Sequence, residues 1–168
     1  MSSRTFETDA GTTTIRAARE EDLAGLADLV NDAYAKTEGH VFAGKRTHRT
    51  ALADDRERLV VAERDGRVVG CVHVDVAGEP AHFGLLAVDV ALHGEGIGSL
   101  LIAEAARLAR EAGRQRMRIE SVKEAGLVPY YERRGYRVVA EHVGQQWNGG
   151  QDWGALLDWH MVELEKEL

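Results

Sequence analysis

The segment HGEGIGSLLIAEAARLAR, residues 93–110, constrains this chain more than any other. Glycines at 94, 96 and 98 stand directly against a run of strong helix formers. In that run Ile97, Leu101, Ala105, Leu108 and Ala112 recur at helical spacing. Just upstream, AHFGLLAVDV (81–90) is apolar almost throughout and reads as a strand buried on both faces. A strand that turns through glycines straight into a helix specifies an α/β unit. It also specifies an anion site, because the first helical N–H groups have no intrahelical partners and point outward. Glycine lets a diphosphate approach that backbone without meeting a Cβ. Two other glycine signatures are excluded. The dinucleotide pattern GxGxxG, begun at Gly94 or Gly96, would need glycine where Ser99 or Leu101 stands, and the P-loop sequence Gly-Lys-Ser/Thr never occurs.

The rest of the chain supplies elements around that unit. TTTIRAA (12–18) suits a first strand. Glu20, Glu21 and Asp22 then load the first turn of a helix with the charge its dipole favours, and Leu23, Leu26, Ala27, Val30 and Tyr34 follow at helical spacing. Polar residues 36–50 read as a loop running into a second helix near ALADDRE. RLVVAE (58–63) and RVVGCVHVDV (67–76) flank Asp65-Gly66, a type I′ hairpin signal. MRIESV (117–122) predicts a strand, LVPYYERRG (127–135) a short helix stopped by Gly135, and YRVVAEHV (136–143) a strand. A loop with Trp147 and Trp153 (144–154) precedes a last strand, LLDWHMVEL (156–164). This order describes one α/β domain over residues 13–168, after a flexible polar leader 1–12. Its expected core is a mixed, mostly antiparallel sheet of six to seven strands flanked by about four helices.

Charge and composition narrow the function. With 21 Lys+Arg against 28 Asp+Glu the net charge is −7, which disfavours a nucleic-acid partner. No run of about 18 apolar residues is present, so no membrane span is expected. The single Cys71 forbids an intramolecular disulfide and suits a cytoplasmic protein. Lying in an apolar strand, it reads as a small buried hydrophobe. The seven His show no HExxH or comparable spacing, so no metal is expected.

VDVALHGEGIGSLLI resembles the acyl-CoA signature of the GNAT superfamily of N-acetyltransferases, and LVPYYERRGYR resembles that family's second, aromatic-Tyr signature. His93 stands where the family usually has Arg or Gln, Val90 replaces its common Pro, and Glu124 occupies about the place of its frequent Asn. The resemblance implies acetyl-CoA as cosubstrate, with the backbone of Leu86 and Val88 holding the pantetheine arm. The turn His93, Gly94, Glu95, Gly96, Ile97, Gly98 and Ser99 would receive the pyrophosphate. It implies direct attack of a bound amine on the thioester, and Tyr131 matches the tyrosine that protonates the leaving thiolate. A phenol with an ordinary pKa of about 10 is protonated at neutral pH and ready to donate.

Such a reaction also needs a group or water chain to take the ammonium proton. His73 and His82 are the candidates, because strands beside the cofactor strand face the substrate in this family; a satisfied structural histidine is the alternative for each. Tyr130 reads as core. By the same resemblance the segments 36–50 and 144–154 wall the acceptor site. They carry Lys45, Arg46, His48 and Arg49, and Trp147 and Trp153. Much of that charge run reads as a solvated face. Arg46 and Arg49 suit two-pronged capture of an anion, and Trp147 offers a flat wall. The expectation is therefore a small amine that also bears an anionic group, such as an amino acid. A peptide or protein amine, or a non-catalytic acyl-CoA-binding domain, is the alternative, and a homodimer is left open.

Overall fold

The computed structural model describes residues 3–8, 11–37, 45–143 and 159–168. Along the chain come β1 (Arg4–Thr8), β2 (Gly11–Ala17), α1 (Leu23–Thr37) and α2 (Arg49–Asp54). Then follow β3 (Leu59–Arg64), β4 (Arg67–Asp75), β5 (Ala81–Val88) and α3 (Ile97–Glu111). The last elements are β6 (Arg116–Val122), α4 (Val128–Glu132), β7 (Arg137–Val143) and β8 (His160–Glu167). The eight strands form one sheet in the order β1-β2-β3-β4-β5-β6-β8-β7. All neighbours are antiparallel except β5 and β6, which are parallel.

The period-2 geometry of the strands sorts the core into two layers. From β3, Leu59 and Val61 face α1 and α2, where they pack with Leu23, Leu26, Val30, Leu52 and Cys71. Val60 and Ala62 face the other way and join α3 through Ile97, Leu101 and Ala105. A strand covered on both faces can be apolar at every position, as LVVA is. The hairpin at Asp65-Gly66 has both central residues at positive φ, +53° and +74°, as its type I′ sequence requires.

The sheet has one strand more than expected. It is β1, which lies inside the stretch 1–12 read as a loose leader and pairs with β2 from Arg4↔Ile15 to Thr8↔Gly11. The polar RTFET carries no clear strand pattern; partners far along the chain hold it. Arg4 reaches the buried Glu104 of α3 at 3.2 Å, and Arg107 meets the same carboxylate at 2.6 Å. Burial alone would push the Glu104 carboxyl up, but these two guanidinium groups hold it below the usual carboxylate range.

The final strand begins at His160, later than the sequence suggests, with Trp159 buried against Val122 and Met161 just before it. Trp147, Trp153 and the rest of the expected loop 144–154 lie outside the described residues. No helix among the described residues is long and apolar enough to cross a membrane.

Candidate active site

The site starts as a split in the sheet. β5 and β6 keep register only at Ala81↔Met117 and His82↔Arg118, and beyond those two positions they share no pairing. On its other side β5 stays against β4 through a bulge. Cys71 pairs with Ala87 and His73 with Gly84, so Leu85 and Leu86 together stand opposite the single Val72. Leu85 sits at φ +48°, a left-handed conformation that costs a branched residue about 1–3 kcal/mol. The Cys71 thiol donates to the Leu85 carbonyl across 3.6 Å. Burial pushes that thiol up to about 12, so it stays protonated and packs as a small hydrophobe. The strand expected to be buried on both faces is therefore open at Gly84, Leu85 and Leu86. Among the described residues its edge there has no strand partner, and it borders a cleft of about 510 Å³.

At one end of the cleft β5 runs into the glycine turn. Asp89 accepts from the Ala91 N–H at 3.0 Å and starts a short 3-10 turn, Val90–Leu92. Gly96 is the N-cap of α3 at φ +84° and offers no side-chain cap, so the first N–H groups of the helix are left for a ligand. Gly98 matters for a different reason. A Cβ there would lie 2.8 Å from the Tyr130 hydroxyl.

Leu86, Val88, His93, Gly94, Gly96, Ile97, Gly98 and Ser99 all line the cleft. Glu95 does not. Its carboxylate turns away to Arg64, which also donates to Thr13 at 3.0 Å. A carboxylate beside an anion site would repel the ligand, and this ion pair removes it. The His93 ring folds back, with Nε2 3.1 Å from the Val88 carbonyl, so that nitrogen is turned to the backbone of β5. Arg134, which the sequence reading did not single out, lines the same end and donates to Ser99 Oγ at 2.6 Å.

Tyr131 sits where α4 meets the cleft. It is buried, yet part of it forms the cleft wall. Its ring is held edge-on by Phe83 at 6.2 Å, Tyr136 at 6.2 Å and Tyr130 at 5.3 Å. Tyr136 is the structural member of this group, and burial raises its phenol to about 12. Tyr130 lines the cleft, where the sequence suggested core.

The other end of the cleft is assembled from distant segments. His82 on β5 and Glu120 on β6 face each other across the split and hydrogen-bond through His82 Nε2. Both line the cleft. Glu120 was legible in principle: Met117, Ile119 and Ser121 are buried by alternation, which leaves Glu120 on the open face. His73 is not in the cleft. It lies beside Asp55 at 3.9 Å, and its burial lowers its pKa. Arg46 lines the cleft with its guanidinium 5.1 Å from the centroid of Tyr34. Arg49 points elsewhere, pairing with Glu20 at 3.3 Å on the exposed surface. Trp147 lies outside the described residues.

The sheet is thus split beside a bulged strand, and the split is closed by a glycine turn and an aromatic helix. Residues 26–149 match the acetyltransferase (GNAT) domain, and the chain belongs to that family. Its fold is similar to that of N-acetylglutamate synthase from Neisseria gonorrhoeae complexed with coenzyme A and N-acetyl-glutamate, at 20% identity and a TM-score of 0.72. That match covers 93% of this chain but 35% of the synthase. Ribosomal-protein-alanine N-acetyltransferase from Brucella melitensis is similar at 24% identity and a TM-score of 0.71, over 92% of this chain and 99% of that one. PaiA N-acetyltransferase from Thermoplasma acidophilum in complex with coenzyme A gives 16% identity and a TM-score of 0.73, over 93% and 99%. At these identities the likeness is one of fold. Among curated proteins, none matches the sequence.

Proposed function

We propose that the chain transfers an acetyl group from acetyl-CoA to the primary amine of a small molecule that also carries an anionic group. The observation that carries this reading is the free edge of β5 between the glycine turn and Tyr131. Pantetheine is a chain of amides, and a strand edge without a neighbour offers the N–H and C=O groups to satisfy them. The turn then receives the diphosphate, where Gly98 leaves the space beneath the Tyr130 hydroxyl free of a side chain.

Chemistry follows from the groups around that edge. The amine nitrogen bonds to the thioester carbonyl carbon, and the C–S bond breaks with its electron pair leaving on sulfur. Tyr131 gives that thiolate a proton. The ammonium proton passes to His82, directly or through water. A proton on Nε2, donated to Glu120, fixes the tautomer and leaves Nδ1 as the acceptor. Glu120 then stabilises the imidazolium that forms. Bringing both reactants into one cleft supplies the orientation that an uncatalysed encounter lacks.

Arg46 supports the acceptor class. Beside Tyr34 it gives the cleft a cationic pole suited to a carboxylate. The gonococcal synthase, whose structure holds coenzyme A and N-acetyl-glutamate, is a precedent for an amino-acid acceptor on this fold. The single buried thiol and the use of an acyl-CoA suit a cytoplasmic setting.

The test is incubation with acetyl-CoA, a thiol reagent and a panel of amines, with products identified by mass. Amino acids are expected to release free thiol fastest. Preference for polyamines or for peptide N-termini would reject the acceptor class, and acetyl-CoA binding without turnover on any amine would reject the enzyme.

A further inference from the structure

Arg134 leaves the C-terminal end of α4 and lies half-buried on the cleft wall. Its guanidinium carbon is 3.5 Å from the centroid of the Tyr130 ring. It donates to the Tyr130 carbonyl at 2.7 Å and to Ser99 Oγ at 2.6 Å. Both acceptors are neutral. Among the described residues no carboxylate pairs with Arg134, although this acidic chain supplies one to Arg16, Arg64, Arg107, Arg116 and Arg118. A guanidinium stays charged at any physiological pH, and a partly desolvated charge calls for an opposite one.

The surroundings point the same way. The stretch 89–99 contains no Lys or Arg, and its one Glu is drawn off to Arg64. The uncapped N-terminus of α3 adds partial positive charge at the same end. Ser99 accepts from Arg134, so its own hydroxyl proton is directed elsewhere. Stacking on Tyr130 holds the guanidinium in place before any ligand arrives, which reduces the ordering cost on binding.

We propose that Arg134, with Ser99, binds the pyrophosphate of the acyl donor from the α4 side, and so makes the enzyme select nucleotide-bearing thioesters over simple pantetheine thioesters. This rests on the acyl-CoA reading above. The glycine turn recognises the diphosphate through backbone; Arg134 adds the charge that the turn itself lacks.

Calorimetry on the wild type, Arg134→Gln, Arg134→Lys and Ser99→Ala tests it, using acetyl-CoA and dephospho-CoA as ligands. Rates with S-acetylpantetheine, which has no phosphate, are measured beside them. Arg134→Gln is expected to weaken acetyl-CoA and dephospho-CoA alike by about tenfold or more, with Arg134→Lys recovering part of the loss. Ser99→Ala should weaken both by a smaller factor with the fold intact, which keeps the test valid if Arg134→Gln fails to fold. The loss in kcat/KM should be smaller with S-acetylpantetheine than with acetyl-CoA in each variant. Unchanged acetyl-CoA affinity in the variants, with normal wild-type binding, overturns the role of Arg134 and leaves the donor reading standing. A loss seen with acetyl-CoA but not dephospho-CoA overturns the assignment to the pyrophosphate. Wild-type protein that binds neither nucleotide overturns the donor reading itself.

Discussion

At the turn end of the cleft, apart from Tyr130 and Arg134 of the α4 segment, the facing residues are neighbours in sequence: Leu86, Val88, His93, Gly94, Gly96, Gly98 and Ser99 belong to one strand–turn–helix unit. At the far end Tyr34, Arg46, His82 and Glu120 come from α1, the segment before α2, β5 and β6. On the proposed reading the turn serves mainly through backbone N–H groups, so its sequence is constrained within a few positions. The far end acts through side chains, and each depends on where the rest of the chain delivers it. A donor with the same diphosphate every time suits the first kind of site; an acceptor that differs between enzymes of one fold suits the second. Tyr131 lines the cleft too, fixed by Phe83 of β5, Tyr130 and Tyr136.

That position makes Tyr131 the most sensitive point. Tyr131→Phe should keep the ring packing with Phe83 and Tyr136 and lose only the hydroxyl. Turnover is expected to fall by ~10² to 10⁴-fold, the usual worth of a general acid, while acetyl-CoA affinity stays within twofold or so. Full kcat in the variant would give the protonation to water.

A smaller loss is expected at the His82–Glu120 pair. His82→Ala and Glu120→Gln should each lower kcat by roughly 10²-fold, the lower range for proton transfer. The double variant should lose little more than the worse single one, because the two groups act as a unit. Fully additive losses, measured as kcat in the double-mutant cycle, would mean that the two groups act independently and would remove the proton-accepting pair.

Which parts of this were legible in the sequence follows the same division. The hairpin, α3 and the glycine turn are local: Asp65-Gly66 dictates its own turn, and Gly96 and Gly98 mark the helix start from adjacent positions. β1 was missed because RTFET becomes a strand only through β2 and the Arg4–Glu104 contact. The bulge at Leu85 was hidden because a run such as AHFGLLAVDV looks buried whether or not β6 stays beside it. Glu95 was included with its neighbours because a turn motif does not show which side chains leave it, and here Arg64 takes that carboxylate. Arg46 and Arg49 were equivalent in sequence; Glu20, far away in the chain, draws one of them off. Glu120 could have been found from the alternation in MRIESV. Arg134 sits inside the quoted second signature, but its aim at Ser99 depends on packing α4 against α3.

The acceptor end can be probed without touching the donor. Arg46→Ala should raise KM for an amino-acid acceptor by about tenfold, in line with ~1.5–3 kcal/mol for a hydrogen bond to a charged group. KM for acetyl-CoA should not move. Arg49→Ala, on the outer surface, should leave both unchanged. Equal effects of the two substitutions in steady-state kinetics would mean that the anion is attracted by the general field of the segment and not held by Arg46.

The smallest effect separates the two histidines that the sequence could not rank. His73 lies outside the cleft, and burial, larger than the opposing influence of Asp55, lowers its pKa in the folded state. The unfolded chain, with an ordinary pKa of about 6.5, therefore takes up the proton first as pH falls. Stability is full above that value and declines as pH drops through it, levelling only below the folded pKa. His73→Gln should flatten this acid limb of the Tm-against-pH curve, by a shift of a few degrees at most, because one titrating group is involved. The same substitution should leave the pH dependence of kcat/KM in place, whereas His82→Ala should alter that profile. If His73→Gln changes the rate profile and leaves the acid limb of stability untouched, the proton acceptor belongs on β4, and the split between β5 and β6 is not where the ammonium proton goes.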